Sequence, residues 1–309
     1  MKILLIGNCQ TGAFRDALQI WLPGARIDHL PTTRPDTARR AAEIAAAIPD
    51  YDHAFIQPIG GARFGPLRRP ALAQAGHANL HLIPSVIFGG FHPDCVSLAD
   101  SAGNLQGPMG TGSSALVAAA FVAGLPPERT ARLFNSFVYA RLGYFEEFAL
   151  ASQAFAGHMA GFGLDGAALL QGWRGRAFMH TVIHPKPYVI SDICHALLRR
   201  LGLVEADSSE LGDALGDRLL NHPVWPVYPE IGRRLGLRGH LYFRGSISGK
   251  GERELDVMDL AAFIARSFAH YASMPERVAQ AVAGHRRAAA ALALLRAELK
   301  LAEAAGDAA

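Results

Sequence analysis

Residues 1–14 read MKILLIGNCQTGAF, and this stretch decides the fold of the chain. The run KILLI at residues 2–6 is typical of a buried strand, and residues 12–21 predict an amphipathic helix directly after it. The turn between them is formed by Gly7–Gln10. A strand that passes through a short polar turn into a helix is the first half of a β–α–β unit, which predicts a parallel sheet.

The next 70 residues repeat this alternation of strand and helix. Strands are predicted at ARIDHL (25–30), HAFIQP (53–58) and NLHLIP (79–84), and helices at 35–48 and 66–75. Helical segments between the strands predict right-handed crossovers, and therefore an α/β fold with a parallel-sheet core and helices on both faces. Ligands of such sheets lie beyond the carboxyl ends of the strands, which is where Gly7–Gln10 falls.

The second half of the chain is less regular. The pattern predicts a short strand over SVIF (85–88) that runs into the turn FHPDC (91–95), and then a glycine-rich loop over 103–114 that feeds a helix. Helices are predicted at 127–140 and 144–170, followed by a strand, a turn and a helix over 178–202. Residues 205–255 are irregular and rich in proline, and residues 256–303 are helical.

This pattern gives one α/β domain at residues 1–245 and a helical C-terminal extension at residues 246–309 packed on it. The apolar residues of HRRAAAALALLRAELKLAEAA recur at helical spacing, so the extension packs either on the core or on a second subunit. The second alternative would make the protein a homo-oligomer through its C-terminal helix.

Composition limits the class of protein. The chain has 309 residues, of which half are hydrophobic and 18% are charged, with a net charge of +3. This is too apolar for a disordered chain. Lys and Arg are scattered, so no nucleic-acid partner is predicted, although the mild positive charge suits a phosphorylated or acidic small ligand.

The cysteines and the apolar runs indicate the compartment. Cys9, Cys95 and Cys194 are too few for a disulfide framework and form no CxxC pair, so no metal site is predicted. The first residues do not read as a signal peptide, and no apolar run reaches the ~18 residues of a membrane span. We therefore expect a cytoplasmic protein without a transmembrane segment.

Cys9 is the first candidate for chemistry. A residue between a strand and a helix points into the mouth of a site, and the helix N-terminus favours a thiolate. The geometry resembles a nucleophile elbow with Cys in place of Ser. The flanking amides of Asn8 and Gln10 are suited to an oxyanion or a ligand. The alternative is a small buried hydrophobic residue, which is the usual role of a free cysteine.

Two histidines are candidates for a base. His92 precedes Asp94 by two residues, so the pair could be a base and its orienting carboxylate, two residues that line a pocket, or an Asx-type turn set by Pro93. His184, in TVIHPKP, follows a predicted strand and precedes a helix, and so falls at the rim of a parallel sheet. We prefer His184 as the base that would serve Cys9.

Phosphate-binding groups are predicted in two places. The loop GPMGTGSSA could hold a phosphate with its backbone N–H groups, or could be a turn in which Ser113 or Ser114 caps the next helix. It lacks the lysine of a Walker loop. Arg63, Arg69 and Lys186 lie near the predicted turns and could meet phosphates.

With these motifs in view, the chain resembles the WcbI family of capsular polysaccharide biosynthesis proteins. The resemblance rests on IGNCQTGAF, IPSVIFGGFHPD, GPMGTGSSALVAAAFVAGL, RLFNSFVYARLGY, TVIHPKPYVISDICHALLRRLG and HPVWPVYPEI, and it spans roughly residues 1–245. The chain departs from the expected pattern at Ile183, where Asn is expected before the His-Pro pair, and at TGSS (111–114), where an aromatic residue, His and Ser are expected.

The resemblance implies that the chain binds coenzyme A and transfers an acetyl group from acetyl-CoA to a sugar hydroxyl of a capsular or surface polysaccharide. Its partners would be a small-molecule thioester and a sugar or polysaccharide acceptor. The residues expected to take part in catalysis are Cys9, His184, His92 and Asp94. The residues expected to bind coenzyme A are Gly7, Asn8, Gln10, Thr11, Gly12, Ser113, Ser114, Arg63, Arg69 and Lys186.

Several alternatives remain at this stage. Cys9 could carry the acetyl group, with His184 as base and the N–H groups of Cys9 and Gln10 as oxyanion hole. It could instead line the pocket while His184 or His92 deprotonates the sugar hydroxyl. Outside this function, the same residues fit an SGNH-like esterase or deacetylase with Cys9 at the nucleophile position. They also fit a non-catalytic coenzyme A-binding protein of a capsule assembly complex.

Overall fold

The computed structural model describes residues 1–205, 214–246 and 255–306, with side chains to residue 299. The chain forms two compact units. The first comprises residues 1–87, 153–174 and 184–219, and the second comprises 88–152, 175–183 and 220–309. The division at 245/246 stays a prediction, and part of the segment predicted to be irregular lies outside the described residues.

The strands and helices of both units are numbered in chain order. The strands are β1 (Lys2–Gly7), β2 (Arg26–Pro31), β3 (His53–Ile56), β4 (Leu80–Leu82), β5 (Cys95–Ser97), β6 (Ala99–Asp100), β7 (Gly103–Asn104), β8 (Gly112–Ser114), β9 (Met179–Thr181), β10 (His184–Pro185), β11 (Phe243–Arg244) and β12 (Val257–Met258). The helices are α1 (Thr11–Trp21), α2 (Pro35–Arg39), α3 (Ala41–Ala46), α4 (Arg69–Ala75), α5 (Ala115–Val122), α6 (Pro127–Ala131), α7 (Ser136–Arg141), α8 (Glu147–Ala160), α9 (Gly166–Gly172), α10 (Pro187–Arg200), α11 (Pro229–Leu235), α12 (Leu260–Ala272), α13 (Pro275–Gly284) and α14 (Arg286–Gly306). Short 3₁₀ helices span Ile48–Asp50, Ala62–Leu67 and Arg218–Asn221.

The first unit is built on a four-stranded sheet with the order β2-β1-β3-β4. All three strand pairs are parallel. Leu4 and Ile6 pack with α3, the 3₁₀ helix before α4 and Leu72 of α4 on one face. Ile3 and Leu5 point to the opposite face and are also fully buried. The predicted α/β fold with helices on both faces of a parallel sheet is confirmed.

The prediction of a strand over residues 85–88 is wrong. The chain from Ile83 to Asp94 contains no strand. The backbone groups of Val86 are satisfied in another way, because the side-chain amide of Gln10 bonds both the N–H and the C=O of this residue. A strand partner is therefore replaced by one side chain at this point.

Three predicted helices are divided in the structure. The helix expected at 35–48 is interrupted at Arg40, which has φ −95° and ψ 15°. The helix expected at 127–140 is interrupted before Asn135, whose side chain accepts from the Val138 N–H and starts α7. The helix expected at 144–170 ends near Gly163, which has φ +69°, a left-handed conformation that favours glycine.

The second unit has α5 at its centre. Residues 115–120 of α5 are all completely buried, and α12, α13 and α14 pack against this helix. The buried residues of α14 are Ala288, Ala291, Leu292 and Leu295, so its apolar face packs within the chain. A homo-oligomer through this helix stays a prediction. None of the helices in the described part of the chain combines the length and the apolar character needed to cross a membrane.

Candidate functional site

The carboxyl ends of the parallel strands meet at a cavity of about 320 Å³ in the first unit. This volume lies at the small end of the range for ligand pockets. The residues after β1, β2 and β3 all contribute to the wall, together with the segment after β4. The lining residues are Gly7, Asn8, Thr32, Gln57, Pro58, Ile59, Gly60, Gly61, Arg63, Phe64 and Ser85.

Two buried glutamines hold the loops around this cavity. Gln57 accepts from the Asn8 N–H at 2.8 Å and donates to the Pro84 carbonyl at 3.2 Å. Gln10 donates to the Val86 carbonyl and accepts from the Val86 N–H, both at 2.8 Å. The turn after β1 is thereby fixed to β3 and to the segment after β4. The side-chain amide of Gln10, predicted to bind a ligand, thus makes both of these bonds with the protein backbone.

Gly7 permits the close approach of these groups. A Cβ at this position would overlap Gln57 Oε1 and would lie 2.5 Å from Thr11 Cγ2. Thr11 in turn donates to the Asn8 carbonyl at 2.7 Å and lies 2.8 Å from His29 Nε2. The turn therefore has room for a glycine only.

Cys9 lies between β1 and α1 and is partly exposed. Burial raises the pKa of its thiol above the ordinary value, against the opposing effect of hydrogen bonds from the N–H groups of Cys9 and Gln10. Of these two N–H groups, predicted as an oxyanion hole, that of Gln10 donates to Asn8 Oδ1 at 2.9 Å. The balance favours a neutral thiol at neutral pH, which suits a lining role better than that of a nucleophile.

A basic group that the sequence analysis did not predict lies near the end of β2, and its residues are not among those that line the cavity. His29, near the end of β2, has a lowered pKa, first because of burial and then because of the charges of Arg15, Arg34 and Arg218. Arg15 and Arg218 both bond Asp16, while Arg34 is exposed. The sequence could have indicated His29, Thr32 and Gln57, because they lie at or just after the ends of β2 and β3. Ligands of parallel sheets lie at these ends.

The predicted phosphate-binding cations lie in different places. Arg63 lines the cavity, is exposed, and has its guanidinium 5.1 Å from the centre of the Phe64 ring. Arg69 is the first residue of α4, is exposed, and does not line the cavity. Lys186 occupies the N-cap position of α10 without a side-chain cap bond, and Gly12 lies in the first turn of α1. Arg63 is therefore the predicted cation that the structure brings to the cavity.

His184 belongs to the same unit as Cys9. It is buried, lies in β10 and precedes α10. α10 packs on α1, where Trp21 donates from its indole N–H to Ser191 at 3.3 Å and stacks on His195. Cys9 and His184 thus precede two helices that pack on each other.

His92, Asp94, Ser113 and Ser114 belong to the second unit. Asp94 is completely buried, and each of its carboxylate oxygens accepts two hydrogen bonds. Oδ1 accepts from Tyr144 at 2.7 Å and from the Leu116 N–H at 3.0 Å. Oδ2 accepts from Tyr228 at 2.7 Å and from Ser114. All four donors come from the protein itself, so both oxygens of this carboxylate are occupied by internal hydrogen bonds.

Ser114 is used twice within the protein. Its hydroxyl donates to Asp94 and accepts from the Val117 N–H at 3.0 Å, so it is the N-cap of α5. Ser113 is buried beside it and bonds Tyr271. Of the two roles considered for the loop, the structure shows the helix cap, and a part in coenzyme A binding stays a prediction.

His92 is 2% exposed, and its Nδ1 lies 3.3 Å from the Pro226 carbonyl. A carbonyl oxygen only accepts, so Nδ1 carries the proton in this bond. In the neutral ring, Nε2 is then the basic nitrogen. The four bonds described above for the Asp94 carboxylate come from Tyr144, Tyr228, Ser114 and the Leu116 N–H.

The fold and the cavity define an α/β protein with a candidate ligand site at the carboxyl edge of a parallel sheet. The sequence model of one family, described as the polysaccharide biosynthesis enzyme WcbI, matches residues 2–206. The chain belongs to the WcbI family. No curated protein matches the chain. The match covers nearly all of the first unit and ends before Pro226, Tyr228 and α11–α14.

Proposed function

We propose that this polysaccharide biosynthesis enzyme transfers an acetyl group from a coenzyme A thioester to a sugar hydroxyl of a capsular or surface polysaccharide. The observation that carries the proposal is the cavity at the carboxyl edge of the sheet, with Arg63 on its wall and Cys9 beside it in the β1–α1 turn. A donor of this kind would place the reaction in the cytoplasm.

The wall of the cavity suits a phosphorylated ligand. Gly60 and Gly61 are exposed and present backbone without side chains, and an added Cβ at Gly60 would meet nothing within 4 Å. Among the residues that the structure describes, Arg63 forms no ion pair, so its charge can be used for a phosphate. The cavity would take one phosphate-bearing part of coenzyme A.

The chemistry needs a base and a carbonyl held in place. A base removes the proton of the sugar hydroxyl, and the oxygen attacks the thioester carbonyl. The C–S bond then breaks, and the base returns the proton to the leaving thiolate, so that coenzyme A departs as the free thiol. His184 and His92 are the two candidate bases. Cys9 lines the site in this proposal because burial raises the pKa of its thiol, whereas an acyl carrier needs a thiolate. The same observation speaks against the esterase alternative with Cys9 as nucleophile.

Calorimetry with coenzyme A, dephospho-coenzyme A and AMP tests the ligand. We expect coenzyme A to bind more tightly than dephospho-coenzyme A, because an arginine meets the additional phosphate. Arg63→Ala should weaken coenzyme A binding about tenfold or more, in line with a charge-assisted bond of ~1.5–3 kcal/mol. Arg26→Ala, an exposed change at the amino end of β2, is the matched control and should have no effect.

Two outcomes would contradict the proposal. If neither coenzyme A nor acetyl-CoA binds, a coenzyme A thioester is not the acetyl donor. If acetyl-CoA binds but no acetyl group reaches any sugar acceptor in a mass-spectrometric assay, the protein is a coenzyme A-binding member of an assembly instead of an enzyme.

A further inference from the structure

We infer that Tyr228 and Arg287, which lie beyond the family match, are positioning residues for His92. This inference rests on the proposed function, in which His92 is one of two candidate bases. It gives a role to residues that lie beyond the family match, which ends at residue 206. All the groups involved belong to the second unit.

Three consecutive residues of the turn are each held from the C-terminal part of the chain. The His92 ring bonds the Pro226 carbonyl, at Nδ1. The Pro93 carbonyl accepts from the guanidinium of Arg287, near the start of α14. The Asp94 carboxylate accepts from the Tyr228 hydroxyl at 2.7 Å.

Each of these contacts is anchored in turn. Arg287 also bonds Glu147, and the two side chains are about four-fifths buried. Tyr228 lies two residues after Pro226, so its bond to Asp94 ties the segment that carries the accepting carbonyl to the turn that carries His92. A buried charged group with two partners is a rigid support, because losing either partner would leave an unsatisfied charge.

The consequence for His92 is a fixed tautomer. The Pro226 carbonyl requires the proton on Nδ1, so the lone pair of the neutral ring resides on Nε2, the nitrogen that would accept a proton from a hydroxyl. Tyr228 and Arg287 do not touch this nitrogen. They hold the turn that carries His92 and the Pro226 carbonyl in fixed positions. Their effect on acetyl transfer would therefore act through the His92 ring.

Nitrogen-15 NMR of the histidine rings tests the inference in the full-length protein, with His92→Gln used to assign the signal. We expect wild-type His92 in the Nδ1–H form. Tyr228→Phe should give a mixture of both tautomers. Tyr144→Phe removes an equivalent hydroxyl bond from the same carboxylate without touching the Pro226 segment, and should leave the tautomer unchanged. Arg287→Ala should also produce a mixture. Arg277→Ala on α13, which breaks the ion pair with Asp100 of β6, should not.

The transfer assay then separates the two proposals. Tyr228→Phe should lower kcat at least about tenfold with KM for acetyl-CoA unchanged, because base catalysis contributes 10²–10⁴-fold. An Nε2–H tautomer in the wild type, or equal tautomer changes in Tyr228→Phe and Tyr144→Phe, would overturn the inference. Tautomer changes as expected in a protein without transferase activity would leave the positioning intact and reject the proposed function. If Tyr228→Phe does not fold, Arg287→Ala and Arg277→Ala give the same comparison.

Discussion

The side chain of Gln10 pairs with the backbone of Val86, 76 residues away, through two hydrogen bonds of 2.8 Å. Both residues are buried, at 1% and 0% exposure. The amide thus supplies the donor and the acceptor that a neighbouring strand would supply. The pair ties the segment after β4 to the turn that carries Cys9, at the carboxyl edge of the sheet.

Gln10→Ala should destabilise the protein. The change leaves the Val86 N–H and C=O unsatisfied in a buried place, at a cost on the order of 1–3 kcal/mol for each group. Urea unfolding followed by circular dichroism measures the free energy of unfolding. Gln19→Ala on the same helix removes an exposed amide and should change this free energy by no more than about 0.5 kcal/mol. Equal effects of the two changes would show that the Gln10 pair does not hold the turn.

Gly7→Ala should also be costly, for a steric reason. The new methyl group would overlap the Gln57 side chain and crowd Thr11, and overpacking typically costs about 1–3 kcal/mol. Displacing Gln57 would also break its bond to the Asn8 N–H, so ligand affinity should fall together with stability. Gly24→Ala is the control, since an added Cβ there meets nothing within 4 Å. Unchanged melting and binding in Gly7→Ala would contradict the close packing of this turn.

The sequence predicts the sheet well because parallel strands and crossover helices leave periodic patterns. All four strands of the parallel sheet were expected, and so was the position of Cys9 after β1. The Gln10–Val86 pair was not, since a side chain that substitutes for a strand has no periodic signature. The strand predicted over residues 85–88 failed for this reason.

The surroundings of Asp94 show the same limit. FHPDC predicts a turn, but nothing local indicates that Tyr228, 134 residues further on, donates to its carboxylate. Contacts of this range depend on the tertiary fold, and one sequence alone does not reveal them. His29 and Gln57 could have been found, since they lie at strand ends that the sequence already predicts.

The two candidate bases can be separated by mutation. We expect one of His184→Ala and His92→Ala to lower kcat by about 10²–10⁴-fold, the contribution of a general base, and the other to change it less than tenfold. Affinity for coenzyme A, measured by calorimetry, should persist in both variants. His77→Ala, after α4, is the control and should behave as the wild type. Full activity in both variants would remove histidine base catalysis from the proposed function.

The last prediction concerns the protonation state of Cys9. Because burial raises the pKa of its thiol, we expect alkylation of Cys9 by iodoacetamide to be slow at pH 7 and to accelerate only above the ordinary thiol pKa of ~8.5. Burial also raises the pKa of Cys95 and Cys194, so Cys9→Ser should remove the labelling seen by mass spectrometry below that pH. A raised pKa in the folded state means that the thiol contributes stability below the unfolded pKa, and that this contribution is lost as the pH rises further.

In the lining role, Cys9→Ser weakens coenzyme A binding and keeps most of the turnover, and incubation with acetyl-CoA adds no mass to the protein. An acetyl adduct on Cys9 that is released by an acceptor sugar, together with rapid alkylation at pH 7, would establish the acyl-carrier role instead.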